Sequence, residues 1–209
     1  MVISMVRANW IFFDVGSTLV DETQAYNHRI RDMIAGSNIS FEEFDQKRIL
    51  LATQGADGNS EAIKFFGLKK TPWHTEDEVP FADADKTLRY LKGRGYKLGI
   101  IANQSLGTES RLEKWGLLKY FDVVAASAEL GVAKPDKAIF EKAFEIAGCK
   151  PIETVMVGDR LDNDIIPAKS LGMKTVWIRK GLSAYQNTGC SNFVADYLID
   201  TLSELENIF

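Results

Sequence analysis

Four segments carry residue types that can do chemistry once a fold gathers them. Asp14 stands directly after the apolar run Trp10-Ile11-Phe12-Phe13 and before the small-residue turn Val15-Gly16-Ser17-Thr18. Ala102-Asn103-Gln104-Ser105 closes a second apolar run, and Gly131-Val132-Ala133-Lys134-Pro135 follows a third. Gly158-Asp159-Arg160-Leu161-Asp162-Asn163-Asp164 ends a fourth. An apolar run that stops at a turn reads as a strand buried on both faces. Open α/β sheets present their ligands at the carboxyl ends of such strands. On that reading Asp14, Lys134 and Asp159 converge on one crevice. Taken singly, Asp14 or Thr18 would be a turn or helix cap and Lys134 a surface lysine; their convergence is what singles them out. Paired carboxylates in a crevice repel one another unless a cation sits between them, and a hard divalent ion such as Mg²⁺ is the economical solution. Such a cation, the lysine amine and turn N–H groups near Gly16 and Ser17 make a pocket for a dianionic phosphoryl group. Asp14 is then placed as an in-line nucleophile.

The elements needed to position these groups alternate along most of the chain. Strands are expected at 10–13, 97–101, 121–124, 154–157 and 175–178, with an edge strand at 193–195. Helices are expected between them, around 108–115, 136–148 and 165–171, with a terminal helix from Thr201. Strands alternating with helices predict a parallel sheet covered on both faces. Between residues 21 and 67 no strand pattern appears. Tyr26, Ile30, Met33 and Ile34 recur at helical spacing before Gly36, Ser40 and Glu43 form a capping-box pair, and Ile63, Phe65 and Phe66 end at Gly67. Residues 21–78 therefore read as a small all-helical insert with a return linker at 71–78. Residues 1–20 and 79–209 form the discontinuous core.

The 209 residues carry a net charge of −4, and no basic cluster offers a nucleic acid a surface. Cys149 and Cys190 are too few for a disulfide scaffold and lack metal-ligand spacing. Residues 1–7 are too short and weakly apolar for a signal peptide, and no window approaches the roughly 18 apolar residues of a membrane span. The expected setting is cytoplasmic. The two histidines, His28 and His74, fall in the insert or its linker and read as surface residues. Trp10, Trp115 and Trp177 read as core aromatics, and nothing in the sequence fixes the oligomeric state.

The combination resembles the haloacid dehalogenase superfamily. That family's pattern is Asp-x-Asp-x-Thr after the first strand, then Ser or Thr, then Lys, then Gly-Asp with a further acid. Asp14, Thr18, Lys134 in Gly-Val-Ala-Lys-Pro-Asp, Gly158-Asp159 and Asp164 match in order and spacing. The resemblance implies a Rossmann-like three-layer core with an inserted small helical cap. It implies a Mg²⁺-dependent phosphatase of a small phosphorylated metabolite, working through an aspartyl-phosphate on Asp14. Asp14, the Gly16 carbonyl and Asp159 would hold the metal, with Asp164 orienting metal-bound water or Lys134. Ser17, Thr18, Asn103 and Lys134 would bind the phosphoryl group, and Asp162 would be solvated.

Two positions depart from the pattern. Gly16 stands where the family has the Asp that protonates the leaving alcohol, and Ala102 where it has Ser or Thr. Missing acid–base help costs about 10²–10⁴-fold in rate, and a missing oxyanion-type donor about 10²-fold. Asp21, Glu22 or a water beside Gly16 could restore proton transfer. The alternatives are a metal- or phosphate-binding module without turnover, and a family member with other chemistry. Against the latter, Gly158-Asp159 keeps a metal site that dehalogenases do not use. Neither Lys47 nor Lys64 stands in a phosphonate-cleaving motif.

Overall fold

The structure is a computed structural model that describes residues 8–186 and 195–209; Cys190 and most of the expected 193–195 strand lie outside them. A six-stranded parallel sheet runs in the order β5-β4-β1-β6-β7-β8. Its strands are β1 (Trp10–Phe13), β4 (Lys97–Ala102), β5 (Val123–Ala126), β6 (Thr154–Gly158), β7 (Lys174–Ile178) and β8 (Tyr197–Ile199). Alternation along β1 splits its four buried side chains between two cores. Ile11 and Phe13 pack with Leu88 and Leu91 of α4 (Ala84–Gly93) and Leu112 of α5 (Thr108–Lys114). Trp10 and Phe12 face Ile139, Phe140 and Phe144 of α7 (Lys137–Ala147), and Ala168 of α8 (Ile166–Ser170). A strand buried on both sides needs apolar residues at every position, which is what β1 supplies.

The insert contains α1 (Thr23–Ile34), α2 (Phe41–Thr53) and α3 (Gly58–Phe65). Their inward residues Ile30, Met33, Phe44 and Ala62 make a separate apolar cluster. The Ser40 hydroxyl accepts the Glu43 N–H at 3.0 Å and starts α2, while Asp57 accepts the Ser60 N–H at 3.1 Å and starts α3. A two-stranded antiparallel ribbon, β2 (Val20–Asp21) with β3 (Val79–Pro80), carries the chain into and out of these helices. Two-residue strands leave no alternation to read, so this ribbon is invisible in the sequence. Three anchors tie the return linker to α1. Trp73 packs edge-on against Tyr26, Arg29 donates to the Thr71 carbonyl at 2.9 Å, and the His28 and His74 rings stack with centroids 3.5 Å apart.

One expectation is corrected near the C-terminus. The last helix is a 3₁₀ helix, Leu202–Asn207, because Leu202 and Leu205 are both buried and a period of three brings them to one side. Among the described residues the edge strand is Tyr197–Ile199, which pairs with β7. The Asp196 carboxylate accepts from the Thr175 N–H and hydroxyl, both at 2.9 Å, and so fixes where the chain joins β7. The helix after β6 also begins differently, as a π turn over Leu161–Ile165 that runs into α8. Among the described residues no helix is long and apolar enough to cross a membrane.

Gly99 of β4 pairs with Phe12, and a Cβ there would lie 2.5 Å from two carbons of the Phe12 ring. Gly99→Ala therefore overpacks the sheet and should destabilise the protein by about 1–3 kcal/mol. The urea midpoint measures this, and an unchanged midpoint would show that the Phe12 ring has room to yield.

Candidate active site

β1 lies at the centre of the sheet, with β4 on one side and β6 on the other, so its carboxyl end opens where the strand order reverses. Phe13 pairs with Ile100 and Val157, which sets Asp14 beside the ends of both neighbouring strands. Lys134 arrives from the segment after α6 (Ser127–Leu130), and its amine is fully buried at this point. It donates to Asp14 Oδ1 at 2.6 Å, to Asp164 Oδ1 at 2.6 Å and to the Ile101 carbonyl at 2.8 Å. These three bonds use every proton of an ammonium group. Burial opposes its charge, but Asp14 and Asp164 outweigh burial and raise the Lys134 pKa.

Asn103 has a different task from the one expected of it. Its Nδ2 donates to the Lys134 carbonyl at 2.9 Å and its Oδ1 accepts the Lys134 N–H at 2.7 Å. The side chain clamps the lysine's backbone, which engages both ends of the amide. Ala102 is wholly enclosed and brings no donor.

Asp14, Asp159 and Asp164 are all buried, and each offers a carboxylate oxygen within 4.8 Å of the others. Asp164 gives Oδ1 to Lys134 and Oδ2 to the Arg160 N–H at 2.9 Å, so the protein holds both of its oxygens. It reaches this place because a Cβ on Gly158 would lie 2.5 Å from its side chain; the glycine is there for close approach. Asp159 Oδ2 accepts from the Ser183 hydroxyl at 2.9 Å, while Trp177 Nε1 donates to the Asp159 carbonyl at 2.6 Å. Burial first, then the Asp164 and Asp14 charges, push the Asp159 carboxyl well above the usual range. Asp164 is raised to about 6, chiefly by burial, with the Lys134 charge opposing. One amine is bonded to two of the three clustered acids, and a divalent cation with oxygen ligands fits the carboxylate oxygens that remain.

The turn after Asp14 departs from expectation at two residues. Ser17 adopts a left-handed backbone (φ 56°), its N–H donates to the Val20 carbonyl at 2.8 Å and its hydroxyl to Glu22 Oε2 at 3.3 Å. Its polar groups thus face the turn and Glu22, with no donor left aimed at a phosphoryl group by the backbone. Thr18 is fully enclosed and its hydroxyl has no partner, so it cannot touch a substrate from this position. Gly16 leaves a space, and Glu22 fills it. A Cβ built on Gly16 would lie 2.7 Å from both Cδ and Oε2 of Glu22. Burial, then the nearby Asp14 and Glu78 charges, raise the Glu22 carboxyl to about 8.

Beside this cluster opens a cleft of about 330 Å³. Ser17, Asp159 and Ser183 line it along with Tyr26 of α1, Arg48 of α2 and Asn59 of α3. Arg160 also lines it, and its guanidinium pairs with Asp162 at 2.6 Å and Asp57 at 3.4 Å. Asp162, exposed as expected, is thus held by its neighbour. Ser183 and Arg160 were not anticipated. Ser183 sits in an ordinary Gly-Leu-Ser stretch with no motif, whereas Arg160 lies within an acidic segment whose carboxylates carry the stronger signal.

Residues 11–178 match the family model described as haloacid dehalogenase-like hydrolase. Among characterised relatives, a glyceraldehyde 3-phosphate phosphatase of Methanocaldococcus jannaschii is 34% identical, covering 95% of this chain and 95% of its own length. One of the same name from Pyrococcus furiosus is also 34% identical, over 96% of this chain and 92% of its own. The crystal structure of a HAD phosphatase from Thermococcus onnurineus superposes with a TM-score of 0.65 at 29% identity, covering 96% of this chain and 97% of that one.

The charge balance gives stability a definite pH dependence. Glu22 and Asp164 hold protons more tightly folded than unfolded, so the folded state loses relative stability as pH rises through their unfolded values. The loss is complete at about 6 for Asp164 and about 8 for Glu22. With a chelator present, Glu22→Gln should flatten the fall in melting temperature between about pH 6 and 8 relative to the unsubstituted protein. Thermal melts at the two pH values measure this, and parallel falls in both proteins would show that Glu22 is not the group titrating.

Proposed function

The chain belongs to the haloacid dehalogenase-like hydrolase family, and from that premise we propose that it hydrolyses a small phosphorylated metabolite through an aspartyl-phosphate on Asp14. The observation that carries the reading is the buried Lys134 amine bonded at 2.6 Å to Asp14 Oδ1. That bond fixes the carboxylate at the open end of the central strand and places a positive charge where phosphoryl charge develops. Asp14, the Gly16 carbonyl and Asp159 would hold Mg²⁺, with Asp164 fixing Lys134 from behind. When bound, the ion supplies charge neutralisation for the phosphoryl oxygens. Asp14 attacks phosphorus, the bond to the leaving oxygen breaks, and water later releases phosphate and returns the carboxylate. Of the groups expected to touch phosphate, Lys134 would act by its charge from behind Asp14, its three N–H bonds being taken, and Asn103 acts by holding Lys134.

Residues 21–78 act in this reading as a cap whose helices α1–α3 close over the cleft, with the β2–β3 ribbon as hinge. Closure would exclude water and hold the leaving group. The cleft's lining of Tyr26, Arg48, Asn59 and Arg160 suits a small polar leaving group. The relatives from M. jannaschii and P. furiosus are named for a three-carbon sugar phosphate, which a cleft of about 330 Å³ accommodates. The two cysteines fit a reducing, cytoplasmic setting.

An aryl phosphate, whose leaving group needs little acid help, tests the reading. Turnover should require Mg²⁺, vanish with a chelator and return on adding the ion. Asp14→Asn should lower kcat on the order of 10³-fold or more, the scale of losing a nucleophile. Undiminished turnover by Asp14→Asn would reject the covalent route.

A further inference from the structure

A route through Asp14 makes two demands that Asp14 and Lys134 cannot meet. The departing alkoxide of an unactivated ester needs a proton, and the water that later attacks the aspartyl-phosphate must lose one. Lys134 is committed by all three of its N–H bonds. Asp164 is held at both oxygens, by the Lys134 amine and the Arg160 N–H. Asp159 is engaged by Ser183 and belongs to the buried acid cluster. Among the described residues a further carboxyl, that of Glu22, lies against the open side of Gly16, two residues after Asp14.

Its placement follows from the chain. Gly16 lacks a side chain, and its φ is not in the left-handed region, so the backbone itself would accept a larger residue. What stands in the way is the end of the Glu22 side chain, with Cδ and Oε2 both 2.7 Å from where a Cβ would be. Glu22 is the first residue after β2 and stands immediately before α1, with its side chain making no capping bond to the helix. The Ser17 hydroxyl, on the turn that follows Asp14, donates to its Oε2 at 3.3 Å and aims the carboxyl into the space. A flexible acid has been threaded from the ribbon into the gap that a glycine leaves next to the nucleophile.

We propose that Glu22 is the general acid and base of this hydrolase. This rests on the phosphatase reading and adds a catalytic residue to it. In the first step the Asp14 carboxylate forms a bond to phosphorus, and the bond from phosphorus to the leaving oxygen breaks. Its electron pair goes to that oxygen, which takes the Glu22 carboxyl proton. In the second step water attacks phosphorus and gives a proton to the Glu22 carboxylate. The bond between phosphorus and Asp14 then breaks with its electron pair returning to Asp14. One water is consumed and both acids return to their starting forms. Since Glu22 directly follows the ribbon strand β2, the proton donor is in place only when the ribbon holds this position.

Two probes separate this from the reading it rests on: para-nitrophenyl phosphate and 2-glycerophosphate, an aryl and an alkyl ester. Glu22→Gln keeps the side chain's size and removes the transferable proton. It should lower kcat for the alkyl ester about 10²–10⁴-fold, and lower the alkyl-to-aryl ratio by at least tenfold. With the aryl ester it should show a burst of one nitrophenol per enzyme before a slow steady state, because the aspartyl-phosphate then lacks its base. Glu22→Ala combined with Gly16→Asp, which refills the gap from the other side, should recover alkyl turnover relative to Glu22→Ala alone. An unchanged alkyl-to-aryl ratio without a burst overturns the assignment of Glu22 and leaves the phosphatase reading standing, even if both rates fall together. An unsubstituted enzyme inert toward both esters overturns both.

Discussion

One buried ammonium governs this site. Lys134 brings a positive charge into the interior at the carboxyl ends of β1 and β4, and it is tolerable there only because Asp14, Asp164 and the Ile101 carbonyl take its three protons. Removing one partner of such a buried pair leaves an uncompensated charge, at about 3–5 kcal/mol. The neighbouring elements are arranged accordingly. Asn103 clamps the lysine's backbone, Gly158 has no side chain so that Asp164 can come close, and the Arg160 N–H holds that acid's second oxygen. The amine thereby fixes the rotamer of Asp14, which gives the nucleophile its direction before any substrate arrives.

The same charge leaves the site incomplete. Three buried acids cluster together, two of them bonded to the single amine, and a fourth, Glu22, adds its charge near Asp14. Burial raises the Asp159, Asp164 and Glu22 carboxyls, favouring the protonated form of each over its usual range. Such a cluster accepts either protons or a metal ion, and the two compete. That competition links the stability of the empty site to its affinity for a cation.

Much of this arrangement could be read from the chain. β1 announces itself because four apolar residues in a row fit only a strand covered on both sides, and a parallel sheet then sends Asp14, Lys134 and Asp159 to one edge without further information. Side-chain direction was not legible. Asn103 looked like a phosphate ligand because its neighbour Ala102 lacks a hydroxyl, yet its amide matches a peptide group and binds the Lys134 backbone. Thr18 matched a motif letter, but the tight turn that begins at Val15 rotates it into the core. Ser183 reaches Asp159 across a fold contact that no local pattern encodes. The β2–β3 ribbon is too short to alternate, so in the sequence the attachment of the insert shows only as a change of rhythm.

The glycine at position 16 shows how a local defect in a motif can be misread. Taken letter by letter, Gly16 removes an acid and suggests a weakened site. In three dimensions an absent side chain is also a volume, and a close-packed protein does not leave a polar volume beside a charged group unfilled. Glu22 occupies it from six residues further on, with a longer side chain that makes up for its more distant attachment. The distance along the chain matters physically, because residue 16 belongs to the turn that ends the central strand, whereas residue 22 follows the ribbon leading to α1–α3. An acid on the turn would be fixed to the nucleophile whatever the helices do. An acid on the ribbon depends on where the ribbon is, so its position couples the carboxyl beside Asp14 to the same two strands that carry the helical insert.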